Sequence, residues 1–132
     1  ALDLQHRRAA ILIGHPSAGT IGVTLQALTG RRVQLILPVG LEKCVPGDFD
    51  AIANRINAPG VKGPRFWPVP GEVFTELDAI DLLTGAAAEL IASGGVCGAE
   101  GSVRIFVSGT DEQMEKAESL IKSIASEPLF EA

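Results

Sequence analysis

The chain has 132 residues, of which 46% are apolar and 20% are charged, and it carries a formal net charge of −5. This length and composition are typical of one globular domain and exclude a disordered or low-complexity protein. The excess of acidic residues argues against nucleic acid or an anionic membrane surface as a partner, because both bind clustered lysine and arginine.

The beginning of the chain predicts a strand, a helix and a second strand. Residues 9–13 are a short apolar run, typical of a strand buried on both faces of a parallel sheet. Residues 33–39 have the aliphatic composition of a second strand. The helix between them is predicted from apolar residues at helical spacing, Ile21, Leu25 and Leu28. We therefore expect residues 9–39 to form a right-handed βαβ unit, after a poorly ordered segment over residues 1–8.

The middle of the chain predicts two helices and one short strand. Asp48 is a suitable N-cap for a helix over residues 49–56. Residues 65–71 can form a strand, but its prolines restrict it to the edge of a sheet or to a place outside it. Thr75 and Asp78 have the spacing of a capping box, so a second helix is expected to begin there.

The last third of the chain predicts two strands and a helix. Residues 89–93 and 102–108 are both strand candidates. The segment 94–101 between them holds four glycines and cannot form a crossover helix, so the two strands are expected to be antiparallel neighbours. Thr110 and Gln113 form a second capping box, which predicts the start of a C-terminal helix.

Together these elements predict one α/β domain over residues 1–132. We expect a sandwich with a mixed, mostly parallel sheet of about four or five strands, a βαβ unit at its start, and helices packed on the sheet. Cys44 and Cys97 lie far apart without metal-type spacing, which favours reduced thiols, a cytoplasmic location and no bound metal. No apolar run approaches the ~20 residues of a membrane span, so no membrane partner is expected.

The loop over residues 14–20 is the first candidate for a functional site. It follows the first predicted strand and opens the first helix, where backbone N–H groups converge on anions. Its candidate ligand-binding residues are Gly14, His15, Ser17, Gly19 and Thr20. The loop lacks the lysine of a phosphate-binding P-loop and does not match the dinucleotide-binding glycine motif. In a purely structural alternative, its glycines satisfy turn geometry and a hydroxyl caps the helix.

The glycine-rich segment 94–101 is the second candidate, because so many glycines suggest that something approaches the backbone closely. Gly95, Gly98 and the adjacent Ser102 are its candidate ligand-binding residues. Lys43 could supply a countercharge and Thr75 a further hydroxyl. A long wide turn, or contact with another subunit, would explain the glycines equally well.

These candidates predict a domain that binds a small anionic metabolite or a nucleotide and forms a homo-oligomer, with no cofactor. One alternative is an enzyme that uses His15 as a general acid or base beside Cys97 or Glu100, which requires those side chains to meet. A second alternative is a structural or assembly module, in which the glycine-rich segment and Trp67 pack between subunits.

Overall fold

The computed structural model describes residues 1–128, whose internal contacts group into two compact units. The first unit is Ala1–Phe74, and the second begins at Thr75. Each unit has its own strands and its own apolar core. The organisation of the whole chain as a single domain stays a prediction.

The first unit is built around a three-stranded antiparallel sheet and a separate parallel pair of strands. Its elements, in chain order, are β1 (Leu2–Asp3), β2 (Arg8–Ile13), α1 (Gly19–Leu28), β3 (Ile36–Pro38), α2 (Phe49–Ile56), β4 (Arg65–Val69) and β5 (Glu72–Phe74). β2 lies at the centre of the larger sheet, with β1 and β4 antiparallel on its two sides. β3 pairs with β5 in parallel.

This topology overturns the predicted sheet. There is no large, mostly parallel sheet of four or five strands within residues 1–128, and the right-handed βαβ unit is wrong because β2 pairs with β4 while β3 pairs with β5. The apolar run was misleading, since composition alone does not separate a parallel strand covered on both faces from an antiparallel strand. In β2, Ala10 is buried whereas Leu12 is 63% exposed.

The predicted edge position of the proline-bearing strand is confirmed. β4 is the last strand of the three-stranded sheet, and Pro68 lies opposite Ala10 of β2. A proline there withholds one backbone donor, which an edge strand tolerates. On the opposite edge, Leu2 of β1 is fully buried, a place in the core that the composition of residues 1–8 did not predict.

The core of the first unit lies between α2 and the larger sheet. α2 begins as predicted, with the Asp48 carboxylate accepting the backbone N–H of Asp50 at 2.8 Å. Phe49 is fully buried, and its ring meets that of Phe66 edge to face with centroids 5.1 Å apart. The Asn57 side chain donates to the carbonyl of Phe66 at 2.8 Å and accepts its N–H at 3.0 Å. β4 is therefore fixed to the end of α2.

The second unit contains α3 (Glu76–Thr84), β6 (Ala87–Ser93), β7 (Val103–Ser108) and α4 (Asp111–Ile124). The predicted antiparallel pairing of β6 and β7 is confirmed, as are the helices that follow the two capping boxes. Ile80, Ala86 and Ala117 form its buried core. Gln113 accepts the N–H of Thr110 at 2.8 Å and donates to the carbonyl of Gly85 at 2.7 Å, which joins the start of α4 to the end of α3.

Within residues 1–128, every helix is too short or too polar to cross a membrane.

Candidate functional site

The loop between β2 and α1 is a compact turn closed by His15. The backbone N–H of Ser17 donates to Nδ1 of His15 at 3.1 Å, and the N–H of Ala18 donates to the His15 carbonyl at 2.9 Å. A neutral imidazole that accepts a hydrogen bond at Nδ1 carries its proton on Nε2. His15 therefore presents Nε2–H as a hydrogen-bond donor, while the N–H of Ser17, which was expected to bind an anion, is already paired.

The start of α1 lacks the side-chain cap that the sequence suggested. Ala18 occupies the N-cap in a left-handed conformation with φ 59°, no side chain caps the helix, and the first turn has no acidic residue. The hydroxyls of Ser17 and Thr20 thus do not cap α1. The first N–H groups of a helix have no partner within the helix, and they favour negative charge. The helix start therefore offers positive potential beside the loop.

A surface cleft of about 440 Å³ lies against this loop. Its walls come from the end of β2, from the loop, from β4 and from the segment just before β4. Its lining residues are Ile13, Gly14, His15, Pro16, Ala18, Gly63, Arg65 and Trp67. The volume is within the range of small-molecule sites. All the lining residues belong to the first unit.

The pairing of β2 with β4 explains why Arg65 and Trp67 share this cleft. Arg65 lies opposite Ile13, and Trp67 lies opposite Ile11. Side chains of a strand alternate between its two faces. Phe66 faces the core beside α2, so Arg65 and Trp67 project from the opposite face.

Arg65 differs from Arg8 and Lys43 of the same unit because it has no partner among residues 1–128. Arg8 makes two hydrogen bonds to the Asp50 carboxylate at 2.6 and 2.9 Å, and Lys43 is paired with Glu42. Among residues 1–128, the guanidinium of Arg65 has neither a carboxylate nor a backbone acceptor within hydrogen-bond distance. Within the described part of the chain, the positive charge of Arg65 at the cleft is therefore not neutralised by an ion pair.

The predicted ligand-binding residues of the first unit are only partly brought together. Gly14 and His15 line the cleft, whereas the exposed Ser17 precedes α1 without lining it. Gly19 and Thr20 are exposed in the first turn of the helix. The predicted countercharge, Lys43, lines a different, largely apolar cavity of about 240 Å³.

In the second unit, the hydroxyl of Thr75 is used within the fold. Thr75 is 3% exposed, its hydroxyl donates to the Asp78 carboxylate at 2.7 Å, and its backbone N–H donates to the same oxygen at 2.6 Å. The capping-box prediction thus accounts for this residue. Thr75 has no free hydroxyl to offer a ligand.

The glycine-rich segment 94–101 is closed by contacts of its own. A Cβ on Gly95 would lie 2.5 Å from the carbonyl oxygen of Ala99, so the close backbone approach expected there comes from within the segment. The Ser102 hydroxyl donates to that carbonyl at 2.7 Å. The N–H of Gly98, whose φ is +94°, donates to the Glu100 carboxylate at 3.2 Å. The Glu100 carboxylate is thus an anion of the chain itself that already accepts a backbone N–H of this loop.

Two backbone hydrogen bonds stabilise the charged form of Glu100. The backbone N–H of Glu100 itself and that of Gly98 lower the pKa of its carboxyl below the ordinary value. Because this pKa is lower in the folded protein than in the unfolded chain, ionised Glu100 stabilises the fold, and this contribution is fully present above the pKa of the unfolded chain. It is lost as the pH falls through the pKa of the folded protein.

The enzymatic alternative stays a prediction. His15 belongs to the first unit, while Glu100 and the exposed Cys97 belong to the second. Within residues 1–128 there is no group of three or more histidine, cysteine, aspartate or glutamate side chains that could hold a metal ion.

Arg65 is the residue that the sequence analysis missed. The signal was present, because Arg65 and Trp67 alternate with the apolar Phe66 in a predicted strand, and such alternation places them on one face. What the sequence did not reveal is that β4 lies beside β2. That pairing brings this face to the loop that follows β2.

Comparison of the chain with protein-family models, with curated proteins and with solved structures finds no match.

The hydrogen bond from Gly98 to Glu100 predicts a coupled titration. In an NMR pH titration, we expect the amide proton of Gly98 to shift together with the Glu100 carboxyl, at a midpoint below the ordinary value of about 4.3. The variant Glu100→Ala should abolish the shift of the Gly98 amide, whereas Glu115→Ala on the exposed side of α4 should leave it unchanged. A Gly98 amide that does not respond to pH in the original protein would contradict the assignment.

Proposed function

We propose that the first unit binds a small anion in the cleft between the loop after β2 and strand β4. The observation that carries this proposal is the guanidinium of Arg65, which has no partner among residues 1–128 and lines the same cleft as Gly14 and His15. Arginine binds phosphate and carboxylate groups with two parallel hydrogen bonds. In this proposal Arg65 supplies the charge and His15 supplies a hydrogen-bond donor at Nε2.

The acidity of the chain as a whole supports a specific site over a diffuse one. A net charge of −5 repels anions from most of the surface, so binding depends on local groups. The uncapped start of α1 adds positive potential beside the cleft, with no acidic residue in its first turn to cancel it. The cleft brings an arginine that has no partner among residues 1–128 together with an exposed histidine donor.

This proposal predicts a selective effect of Arg65 on anion affinity. Pyrophosphate titrated into the full chain and followed by calorimetry should bind at low salt and weaken as salt is added. Arg65→Gln should lower the affinity about tenfold or more, because a hydrogen bond to a charged group contributes about 1.5–3 kcal/mol. The matched control is Arg32→Gln, which removes the same charge from an exposed position outside the cleft. Equal affinity in the two variants would rule out the cleft as the site.

A second candidate function, self-association, is favoured by an uncovered face of the second unit. One face of the β6–β7 pair packs Ile105 and Val107 against the core, whereas Phe106 on the other face is 55% exposed. The open face also carries Glu89 opposite Phe106, and Arg104 two residues away along β7. We propose a second copy of the chain as the partner, because a two-fold axis near Phe106 can bring these opposite charges together.

Self-association through this face predicts a change in mass on mutation of its aromatic residue. Light scattering coupled to size exclusion should give the original protein a mass above the 13.8 kDa of one chain, and Phe106→Ser should return it to 13.8 kDa. The control Val23→Ser replaces an even more exposed apolar residue, in α1, and should not change the mass. A monomeric original protein at high concentration would remove this candidate.

A further inference from the structure

The exposed Trp67 carries an inference that rests on the proposed anion site and specifies its ligand. Trp67 lines the cleft, and 45% of the residue is exposed to solvent. The one aromatic pair within residues 1–128 is formed by Phe49 and Phe66, so the indole has no ring partner in that range. A large exposed aromatic in a cleft is a platform for a flat ring, because such rings stack in offset geometry.

The polar and apolar groups of the cleft are separated along β4. Arg65 lies opposite Ile13, the residue that leads into the loop, while Trp67 lies two residues further from that loop. Two residues of a strand span about 6.6 Å. His15, the other donor, is in the loop itself. The cleft therefore has an anion-binding end beside the loop and an aromatic end along the strand.

We propose that the ligand is a mononucleotide, with its phosphate at Arg65 and His15 and its base stacked on Trp67. A ribose between phosphate and base supplies the separation that the two ends of the cleft require. A carboxylate attached directly to an aromatic ring is too short to reach both ends. Stacking tolerates any base, since every base has a π-face, so the class is a nucleoside monophosphate in general.

The backbone that carries Trp67 is anchored by the residues on both sides of it. Its neighbour Phe66 is anchored by two hydrogen bonds to the Asn57 side chain and by the edge-to-face contact with Phe49. The following Pro68 restricts the backbone of β4. An anchored strand has little backbone freedom left to lose when a ligand binds, which favours affinity.

The experiment compares three probes on the full chain: pyrophosphate, ribose 5-phosphate and adenosine 5′-monophosphate. Trp67 is the only tryptophan and the chain has no tyrosine, so intrinsic fluorescence reports on this one side chain. We expect adenosine 5′-monophosphate to quench the fluorescence saturably and to bind at least tenfold more tightly than ribose 5-phosphate. Trp67→Leu should reduce its affinity to that of ribose 5-phosphate, and Trp67→Phe should retain most of it.

The possible outcomes separate this inference from the proposed function. If pyrophosphate and ribose 5-phosphate bind through Arg65 but the nucleotide binds no more tightly than the sugar phosphate, the anion site stands and the mononucleotide inference is overturned. If neither pyrophosphate nor any of the phosphates binds, both are overturned. Calorimetry on Trp67→Leu and Trp67→Phe, after circular dichroism shows that both fold, replaces the fluorescence readout that these variants lack. Unchanged nucleotide affinity in Trp67→Leu would also overturn the inference.

Discussion

The antiparallel pairing of β2 with β4 is the constraint on which the rest of the first unit depends. Because side chains alternate along a strand, the register that places Phe66 opposite Leu12 decides which residues of β4 face α2 and which face the cleft. A shift by one residue would turn Phe66 away from Phe49 and bury Arg65 without a partner. Both consequences would lower the stability of the fold, so the core and the candidate site require the same register.

The core of the first unit also holds the site in place. Phe49 and Phe66 are the only two aromatic residues in ring contact within residues 1–128, and Asn57 pairs with the backbone of Phe66 on both its donor and its acceptor. Arg65 and Trp67 flank this anchored residue, so their backbone positions are set by the core. Binding residues on an anchored strand are positioned more precisely than residues on a loop.

Elements defined by local chemistry could be predicted from the sequence. The helices that begin after Asp48, Thr75 and Thr110 all follow capping residues that act within one turn, and the structure confirms them. The antiparallel β6–β7 pair was also predictable, because a short glycine-rich connection permits little else. In each case the residues that decide the structure are near neighbours in the sequence.

Pairing between remote segments was not predictable from the same patterns. β2 pairs with a strand more than fifty residues away, and its composition fits a parallel partner as well as an antiparallel one. With the wrong strand placed beside β2, the sequence offered no reason to place Arg65 near the loop. Lys43 was therefore predicted to supply the countercharge. Gly14 and His15 were found because the loop follows β2 directly, whatever strand lies beside it. The glycines of segment 94–101 fit the alternative of a long wide turn, because the group that approaches Gly95 is the carbonyl of Ala99 in the same segment.

The most direct test of this account is a set of backbone NOEs that reports which strand lies beside β2. In a NOESY spectrum of the full chain, the antiparallel register predicts cross-strand contacts between Ile11 and Trp67 and between Ile13 and Arg65. These contacts would place the arginine and the tryptophan beside the loop, as the proposed site requires. Contacts from residues 9–13 to residues 36–38 in a parallel pattern would contradict the account, because Arg65 and Trp67 would then lose the pairing that brings them to the cleft.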